Sequence, residues 1–279
     1  MTEGITGNRA QLGAWVVSEK RNRVFDGSTE AENPLQERTR IILPLLSLDM
    51  RITDNFGIQA AATFPNLTRT AVVPGIARTV NFRETFSGLG DTSLVGWYRP
   101  LPLWRWNVVL NFGVSLPTGK SEEPHFQREL NNGSLVPTNR LQRGSGTFDP
   151  LVGASLSRRV RSFTLFGGMA ARTPYAENDY GLRTGASSEL NGGVARELGT
   201  HRVNGFSRVE WLHRQQDVCL GIPVLEGGGH WLYVTPGLAV QVANGVSVQA
   251  ELKLPVYRAL ANKQLDSAAI FQFGISRRF

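Results

Sequence analysis

The sequence predicts an all-β protein, an antiparallel transmembrane β-barrel of about 12 strands with long external loops and short periplasmic turns. Three observations predict it: apolar and polar residues alternate along unusually long segments, short and long connections alternate along the chain, and the final segment alternates up to an aromatic residue. We expect residues 1–279 to form this single outer-membrane barrel domain.

Alternation is clearest in the stretch RWNVVLNFGVSLP, residues 105–117, where every second residue from Trp106 to Leu116 is apolar. Successive side chains of a strand point to opposite faces, so this segment is a two-sided strand. The segments 229–243 and 246–258 repeat the pattern. Ordinary strands average about 5–6 residues, whereas a tilted membrane strand needs about 9–11, so the length of these segments favours a membrane barrel.

Twelve strands are predicted in this way, at residues 10–20, 38–52, 56–67, 88–100, 105–117, 146–159, 162–173, 181–198, 202–215, 229–243, 246–258 and 267–279. Short connections follow the even-numbered strands, and one of them is the hairpin signal Asn244-Gly245. The connections 21–37, 68–87, 118–145, 174–180, 216–228 and 259–266 are longer and polar. This strict alternation is typical of outer-membrane barrels, and loop 118–145 is the best candidate for a plug or lid.

Composition excludes several classes of protein. No run reaches the roughly 18 apolar residues of a membrane helix, while a barrel is compatible with the mean hydropathy of −0.18. The single cysteine excludes an intrachain disulfide framework. No signal peptide is visible at the start, so we expect this sequence to be the mature form if the protein is exported.

The final strand places Phe271, Phe273, Ile275 and Phe279 on one face. We expect it to pair with the first strand, because closure leaves no sheet edge in lipid. These four residues also resemble the assembly signal that outer-membrane barrels present to their insertion machinery. Arg277 departs from the usual apolar choice and would snorkel at the periplasmic boundary. The rings of Trp97, Tyr98, Trp104 and Trp106 flank a short turn, which suits a periplasmic aromatic belt.

Charged residues on the polar faces of the predicted strands are the candidate lining of a solute path. By alternation these are Asp91, Asp149, Arg183, Glu189, Arg208, Glu210, Glu251 and Lys253, while Arg158 and Arg172 are ambiguous. Charges inside a barrel are costly unless they pair or meet water, so the lumen holds either an ion-pair network or water.

The sequence carries no recognisable catalytic or metal-binding motif. The four histidines have no metal-ligand spacing with one another or with Cys219, and HExxH, GxSxG and phosphate-binding loops are absent. We predict no enzyme, no metal and no cofactor; Ser207 and His213 keep an outer-membrane lipid hydrolase as a less favoured alternative. The net charge of +7 comes from scattered arginines, which favours anionic lipopolysaccharide over nucleic acid as a partner.

Three motifs carry a resemblance to a known family: GLGD at residues 88–91, LPTG at 116–119 and GTFDP at 146–150. In this order they resemble the outer-membrane transporters grouped as the "MetA-pathway of phenol degradation" family. The resemblance implies a barrel for uptake of aromatic or other hydrophobic compounds. The chain is shorter on its N-terminal side than some relatives, so ten or fourteen strands stay open.

We therefore expect a channel in a bacterial outer membrane for passive uptake of small, aromatic or hydrophobic solutes. The expected partners are outer-membrane lipid and lipopolysaccharide, the barrel-assembly machinery and the solute, without nucleic acid, and the oligomeric state stays open. A structural or accessory barrel subunit of an envelope complex is the alternative.

Overall fold

Twelve antiparallel strands close into a single barrel in the computed structural model. The model describes residues 9–74, 79–100, 105–121, 129–131, 134–136, 142–199, 202–224 and 227–279. Each barrel strand pairs with its neighbours in the sequence, and the last also pairs with the first. The predicted fold class and strand number are confirmed. Within the described residues, no helix is long and apolar enough to cross a membrane.

The strands have the following bounds: β1 Ala10–Asp26, β2 Arg38–Arg51, β3 Phe56–Thr63, β4 Thr92–Tyr98, β5 Asn107–Leu116, β6 Asp149–Val160, β7 Phe163–Arg172, β8 Ser187–Glu197, β9 Val203–Arg214, β10 Gly229–Ala243, β11 Val246–Leu260 and β12 Gln264–Arg278.

Closure occurs along β1, which pairs with β12 on one side and with β2 on the other. The register runs from Gln11 opposite Arg278 to Phe25 opposite Gln264, with irregularities between Glu19 and Arg23. The main-chain N–H of Phe279 also donates to the carbonyl of Ala10, at 2.9 Å. Both sheet edges are thereby removed, as lipid requires.

Short connections lie at one end of the barrel and long ones at the other. The first end carries residues 52–55, 99–106, 161–162, 198–202 and 244–245. The second, or outer, end carries the connections 27–37, 64–91, 117–148, 173–186 and 215–228. The expected long connection 259–266 is wrong: β11 and β12 both extend, and only residues 261–263 join them. An ion pair between Arg258 and Asp266 joins the outer ends of these two strands.

Further strands extend the outer end. Asn66–Pro74 and Thr79–Ser87 form an outer hairpin that pairs with the beginning of β2. Thr29–Ala31 pairs with the end of β1. Leu182–Arg183, Val218–Cys219 and Ile222–Pro223 form a small sheet between two long loops, and Glu129–Asn131 pairs with Ser134–Val136.

The two faces of the barrel differ as the alternation predicts. Large apolar side chains point outward and stay exposed, among them Leu48, Phe112, Leu156 and Phe273. The residues between them point inward and include buried polar groups such as Glu210. The prediction that Trp97 belongs to the aromatic belt is wrong. Its side chain is 2% exposed, and its indole N–H donates to Asp49 at 3.0 Å inside the barrel. Trp104 lies outside the described residues.

The facing of β6 yields a test of the membrane-spanning fold. Leu156 points outward near the middle of β6, and the adjacent Ser155 points inward. Leu156→Arg should lower the free energy of unfolding by about 2–4 kcal/mol, because it places a charge in the acyl chains. Ser155→Arg should cost less than about 1 kcal/mol, since the interior is polar. Denaturant unfolding in lipid vesicles, followed by tryptophan fluorescence, measures both. Equal losses would contradict this assignment of faces.

Candidate functional site

Four charged side chains form a continuous ion-pair ladder on the inner wall. This lumen ladder consists of Arg208 and Glu210 on β9 and Glu251 and Lys253 on β11. The guanidinium of Arg208 lies 3.1 Å from Glu251 and 3.3 Å from Glu210, and Lys253 pairs with Glu210. All four side chains are 14% exposed or less. Because each charge has a partner, the desolvation of these groups is offset.

The lumen ladder runs along the wall and does not cross the lumen. β10 separates β9 from β11, so the paired groups span about 10 Å over one intervening strand. On β10 the inward residues opposite them are Tyr233, Thr235 and Gly237. Thr235 is small and lies directly opposite Arg208, which leaves room for the guanidinium to reach Glu251 on β11. The Lys253 ammonium also lies 4.2 Å from the ring centroid of Tyr233, a cation–π contact.

A second interior network lies nearer the outer end, on β1, β11 and β12. Arg21 donates to Glu19 at 2.7 Å, and Arg258 pairs with Asp266 at 3.4 Å. Asp266 also accepts the indole N–H of Trp231 at 3.1 Å. Arg21 and Asp266 occupy the extended parts of β1 and β12, which the sequence pattern assigned to connections, whereas Glu19 and Arg258 lie at the ends of predicted strands.

Aromatic rings lie on glycines along the other half of the inner wall, near the short turns. Four directly opposed pairs have this arrangement: Trp15–Gly274, Trp97–Gly57, Phe166–Gly193 and Phe206–Gly237. A Cβ added to Gly237 would meet the Phe206 ring at 2.2 Å, and one added to Gly274 would meet Trp15 at 2.1 Å. Glycine therefore lets each ring lie flat against the sheet, as aromatic residues do when they cover strand glycines.

Two of the motifs behind the family resemblance, GLGD and LPTG, meet at the Asp91 carboxylate together with Ser145, the residue before the third motif. The N–H groups of Gly119 and Ser145 donate to it at 3.2 Å and 2.8 Å, and the Ser145 hydroxyl donates at 2.9 Å. Gly144 packs so closely that an added Cβ would lie 2.4 Å from an Asp91 oxygen. One largely buried carboxylate thus fixes both ends of the loop 117–148. Much of the predicted plug within 118–145 lies outside the described residues.

Asp149 is the second carboxylate of this region and is fully buried. It accepts hydrogen bonds from Arg172 Nε at 2.9 Å and from the Thr147 hydroxyl at 2.6 Å. Arg172 also lies 3.8 Å from Asp91, so it joins the two carboxylates. Together Asp91, Ser145, Asp149 and Arg172 form a loop-base cluster at the foot of loop 117–148.

Asn178 connects the loop-base cluster to the next long loop. Its side-chain amide donates to the Ser145 carbonyl at 3.2 Å. Its side-chain oxygen accepts the main-chain N–H groups of Tyr180 and Leu182, at 3.0 Å and 3.1 Å. The loops 117–148 and 173–186 are therefore held together at their bases.

The predicted lining residues occupy three different environments. Arg208, Glu210, Glu251 and Lys253 form the lumen ladder, and Asp91 and Asp149 belong to the loop-base cluster. Glu189 faces inward and accepts a hydrogen bond from Asn191 at 3.1 Å. The prediction for Arg183 is wrong: it lies in the small outer sheet, opposite Val218, because β8 begins only at Ser187.

Sequence alternation does not reveal several other interior residues. Near the outer ends of the strands the outward residues are no longer regularly apolar, so alternation does not assign the neighbouring residues to the inward face. This holds for Glu19, Arg21, Arg258 and Asp266. The two arginines whose facing the sequence left undecided lie on opposite faces. Arg172 points inward, and Arg158 points outward, with its guanidinium 5.8 Å from the ring centroid of Trp106.

The histidines of β9 and β10 lie on the outward face. The rings of His213 and His230 stack with centroids 4.3 Å apart, next to Trp211. Ser207 lies six residues from His213 on the same strand, a separation of about 20 Å, so these two residues form no catalytic pair. Among the described residues, no three His, Cys, Asp or Glu side chains are grouped to hold a metal ion.

The small outer sheet covers the one thiol. Cys219 packs with Leu182 and Val224 and is 3% exposed. Burial raises the pKa of the Cys219 thiol, and the nearby Glu177 carboxylate acts in the same direction.

Asp217, two residues from this thiol, joins the loops 173–186 and 215–228. Its carboxylate accepts from the Gly185 N–H at 2.7 Å and from Arg214 at 2.9 Å. It is 2% exposed, so a buried carboxylate again fixes the base of two long loops.

Comparison with solved structures supports the barrel. An outer membrane channel from Pseudomonas putida F1 is 11% identical with a TM-score of 0.73, and the match covers 99% of this chain and 97% of that chain. The transport unit of the autotransporter AIDA-I from Escherichia coli is 12% identical with a TM-score of 0.55, covering 100% and 93%. The NanC porin is 9% identical with a TM-score of 0.52, covering 97% and 100%.

At these identities the likeness is one of fold, and the fold is that of outer-membrane β-barrels. No protein-family model matches the sequence, and a comparison with curated proteins gives no match.

The loop-base cluster yields a prediction about loop 117–148. Asp91→Ala removes the acceptor of three hydrogen bonds, and each bond to a charged group contributes about 1.5–3 kcal/mol. We expect cleavage within this loop by a soluble protease to become at least about tenfold faster, because losing a single bond already raises local opening by that factor.

Limited proteolysis of the refolded barrel, with fragments identified by mass spectrometry, measures this rate. Asp54→Ala is the matched control, because that carboxylate is 94% exposed and lies in a short turn at the other end. Unchanged cleavage in Asp91→Ala would mean that other contacts fix the loop.

Proposed function

We propose that this protein is an outer-membrane channel for passive passage of small aromatic or other hydrophobic solutes, including aromatic acids. The observation that carries the proposal is the inner wall, on which long polar and aromatic side chains lie flat. The lumen ladder extends across β10 at Thr235, and the aromatic rings lie on glycines, Gly237 among them. We infer that a wall built in this way leaves a route along the barrel axis.

Two kinds of surface along this route suit an aromatic acid. Flat rings near the short turns can stack with an aromatic solute, a contact worth about 0.5–1.5 kcal/mol beyond area burial. The paired charges of the lumen ladder can exchange partners with a carboxylate. With two cations and two anions the ladder is neutral, so it attracts neither sign of ion strongly.

The family resemblance and the similar fold of the Pseudomonas putida channel support the same proposal. That protein is described as an outer membrane channel, and the present chain is similar to it over 99% of its length. Two of the motifs shared with the phenol-degradation transporters converge on Asp91. We infer that these motifs position the outer loop over the lumen, and that the chain functions in a bacterial outer membrane.

The rival proposal is a structural or accessory barrel within an envelope complex. The two differ in conductance: a channel conducts in planar bilayers after refolding of the purified chain, whereas an accessory barrel does not. Heat-modifiable migration on a gel establishes that the chain has folded before recording. A folded barrel without conductance would overturn the channel proposal.

Ion selectivity should respond to the lumen ladder with a defined sign. Glu251→Ala leaves one net positive charge and should favour anions, while Arg208→Ala leaves one net negative charge and should favour cations. A charge about 8 Å away in water changes the energy of an ion by about 0.5 kcal/mol. Cations and anions change in opposite directions, so each cation-to-anion permeability ratio should change about sixfold. Reversal potentials in a salt gradient measure this ratio.

The double variant Arg208→Ala with Glu251→Ala serves as the control, since it restores neutrality and should return the selectivity to that of the original protein. Unchanged recordings in both single variants would remove the two residues from the conduction path.

Solute preference should depend on Phe206. In proteoliposomes we expect benzoate to permeate about 2–10 times faster than cyclohexanecarboxylate, which has the same charge and a similar size, because only the aromatic ring stacks. Phe206→Leu should reduce the difference, because it removes one of the four rings on the wall. Phe163→Leu is the matched control, since Phe163 is 41% exposed on the outward face. Equal rates for both acids in the original protein would contradict an aromatic preference while leaving conductance intact.

A further inference from the structure

Four basic side chains stand together on the outward face at the outer end of the barrel. This basic row consists of Lys20 on β1, Arg38 and Arg40 on β2, and Arg83 on the outer hairpin, all exposed. Lys20 lies directly opposite Arg40 in the β1–β2 register. Arg38 lies two residues from Arg40 on the same face. The basic row therefore covers four neighbouring strands at one level of the barrel.

Hydroxyl groups complete this surface. Thr68 lies opposite Arg40, and Thr70 lies opposite both Arg38 and Arg83. The hydroxyls of Thr68 and Thr85 are 3.2 Å apart, so these side chains point to the same outward face. The surface thus combines guanidinium and ammonium groups with neutral hydroxyl donors, which are the groups that bind phosphate oxygens.

Nothing in the described part of the chain neutralises the basic row. None of its four residues forms an ion pair there, and two acids of the adjoining connection 27–37 have other partners: Glu30 binds Arg23 at 2.8 Å, and Glu37 binds Arg69 at 3.1 Å. Like charges placed directly opposite each other destabilise a sheet, so the Lys20–Arg40 pair opposes folding unless an anion binds. Packing of the sheet gives no reason for this arrangement.

The depth of the basic row identifies the anion. Below it, the outward face of β2 carries Ile42, Pro44, Leu46, Leu48 and Met50. Nine residues of a tilted strand span about 20–25 Å, the height of the apolar band of an outer-membrane barrel. The row therefore lies just above the acyl chains, at the level of the lipid headgroups on the side of the long loops.

We propose that the basic row binds the phosphate groups of a phosphorylated glycolipid of the outer leaflet, with its acyl chains on the apolar residues below. Arg40, Lys20 and Arg38 pair with phosphate, and Thr68 donates a neutral hydrogen bond. The inference rests on the barrel fold and its orientation, not on the proposed channel function, so binding and conductance can fail independently.

The test is native mass spectrometry of the refolded full chain, titrated in neutral detergent with bisphosphorylated lipid A, its monophosphorylated form and phosphatidylglycerol. We expect the original protein to bind the bisphosphorylated lipid most tightly. Lys20→Gln with Arg40→Gln should weaken that binding about 30-fold, because each basic residue at a membrane surface contributes about 1 kcal/mol. Arg40→Lys, which keeps the charge, should retain most of the affinity and shows that the site folds.

Arg161→Gln with Arg202→Gln is the matched control, since both arginines are exposed in short turns at the opposite end. We expect this pair of changes to leave lipid binding unaltered. An equal loss in the control would mean that overall charge attracts the lipid. Equal binding of phosphatidylglycerol, or undiminished binding in the Lys20 and Arg40 double variant, would overturn the proposal.

Discussion

Hydrogen bonding of the backbone in lipid is the constraint on which the rest of this structure depends. An unpaired N–H or C=O group in the acyl region costs several kcal/mol, so every strand needs two neighbours and the sheet must close. β1 satisfies this requirement by pairing along most of its length with both β2 and β12. Closure then fixes which side of each strand meets lipid, because side chains alternate. All later features of the wall, inward and outward, follow from that division.

The inward-pointing side chains must fit into a small interior, and many of them are polar, charged or aromatic. Two arrangements hold these side chains flat against the inner wall. Near the short turns, glycine accepts the face of a ring from the neighbouring strand, as in the Phe206–Gly237 pair. Farther from those turns, Arg208 and Glu251 pair across β10 at the small Thr235, and the charges of the lumen ladder all have partners. Both arrangements place the bulk of the side chains parallel to the sheet, as the proposed route along the barrel axis requires.

Much of this fold could be predicted from the sequence because lipid imposes a period of two on the outward face. Eleven residues of regular alternation, as in 106–116, fix a strand and its facing without knowledge of its partners. The signal ends where the strands leave the acyl chains, which is why the ends of β1, β11 and β12 lie outside the predicted strands. Knowing which face of a strand carries a side chain also does not identify its partner. Arg208 and Glu251 are 43 residues apart in the sequence, and only the register of the strands brings them together. Trp97 shows a further limit, since a ring beside a turn suits an interfacial belt and a buried hydrogen bond equally well.

Arginine has three roles in this barrel, and position decides among them. Inside, guanidinium groups such as Arg172 join carboxylates that fix the loops, so their charge is neutralised by the protein itself. At the short turns, exposed arginines such as Arg161 face solvent. On the outward face at the outer end, the basic row remains uncompensated by any described ion pair. A chain with 30 basic and 23 acidic residues has cations in excess, and the basic row concentrates four of them at one depth on the outward face. The scattered basic residues of the sequence are therefore ordered in space, because the pairing of β1, β2 and the outer hairpin brings Lys20, Arg40 and Arg83 to one level.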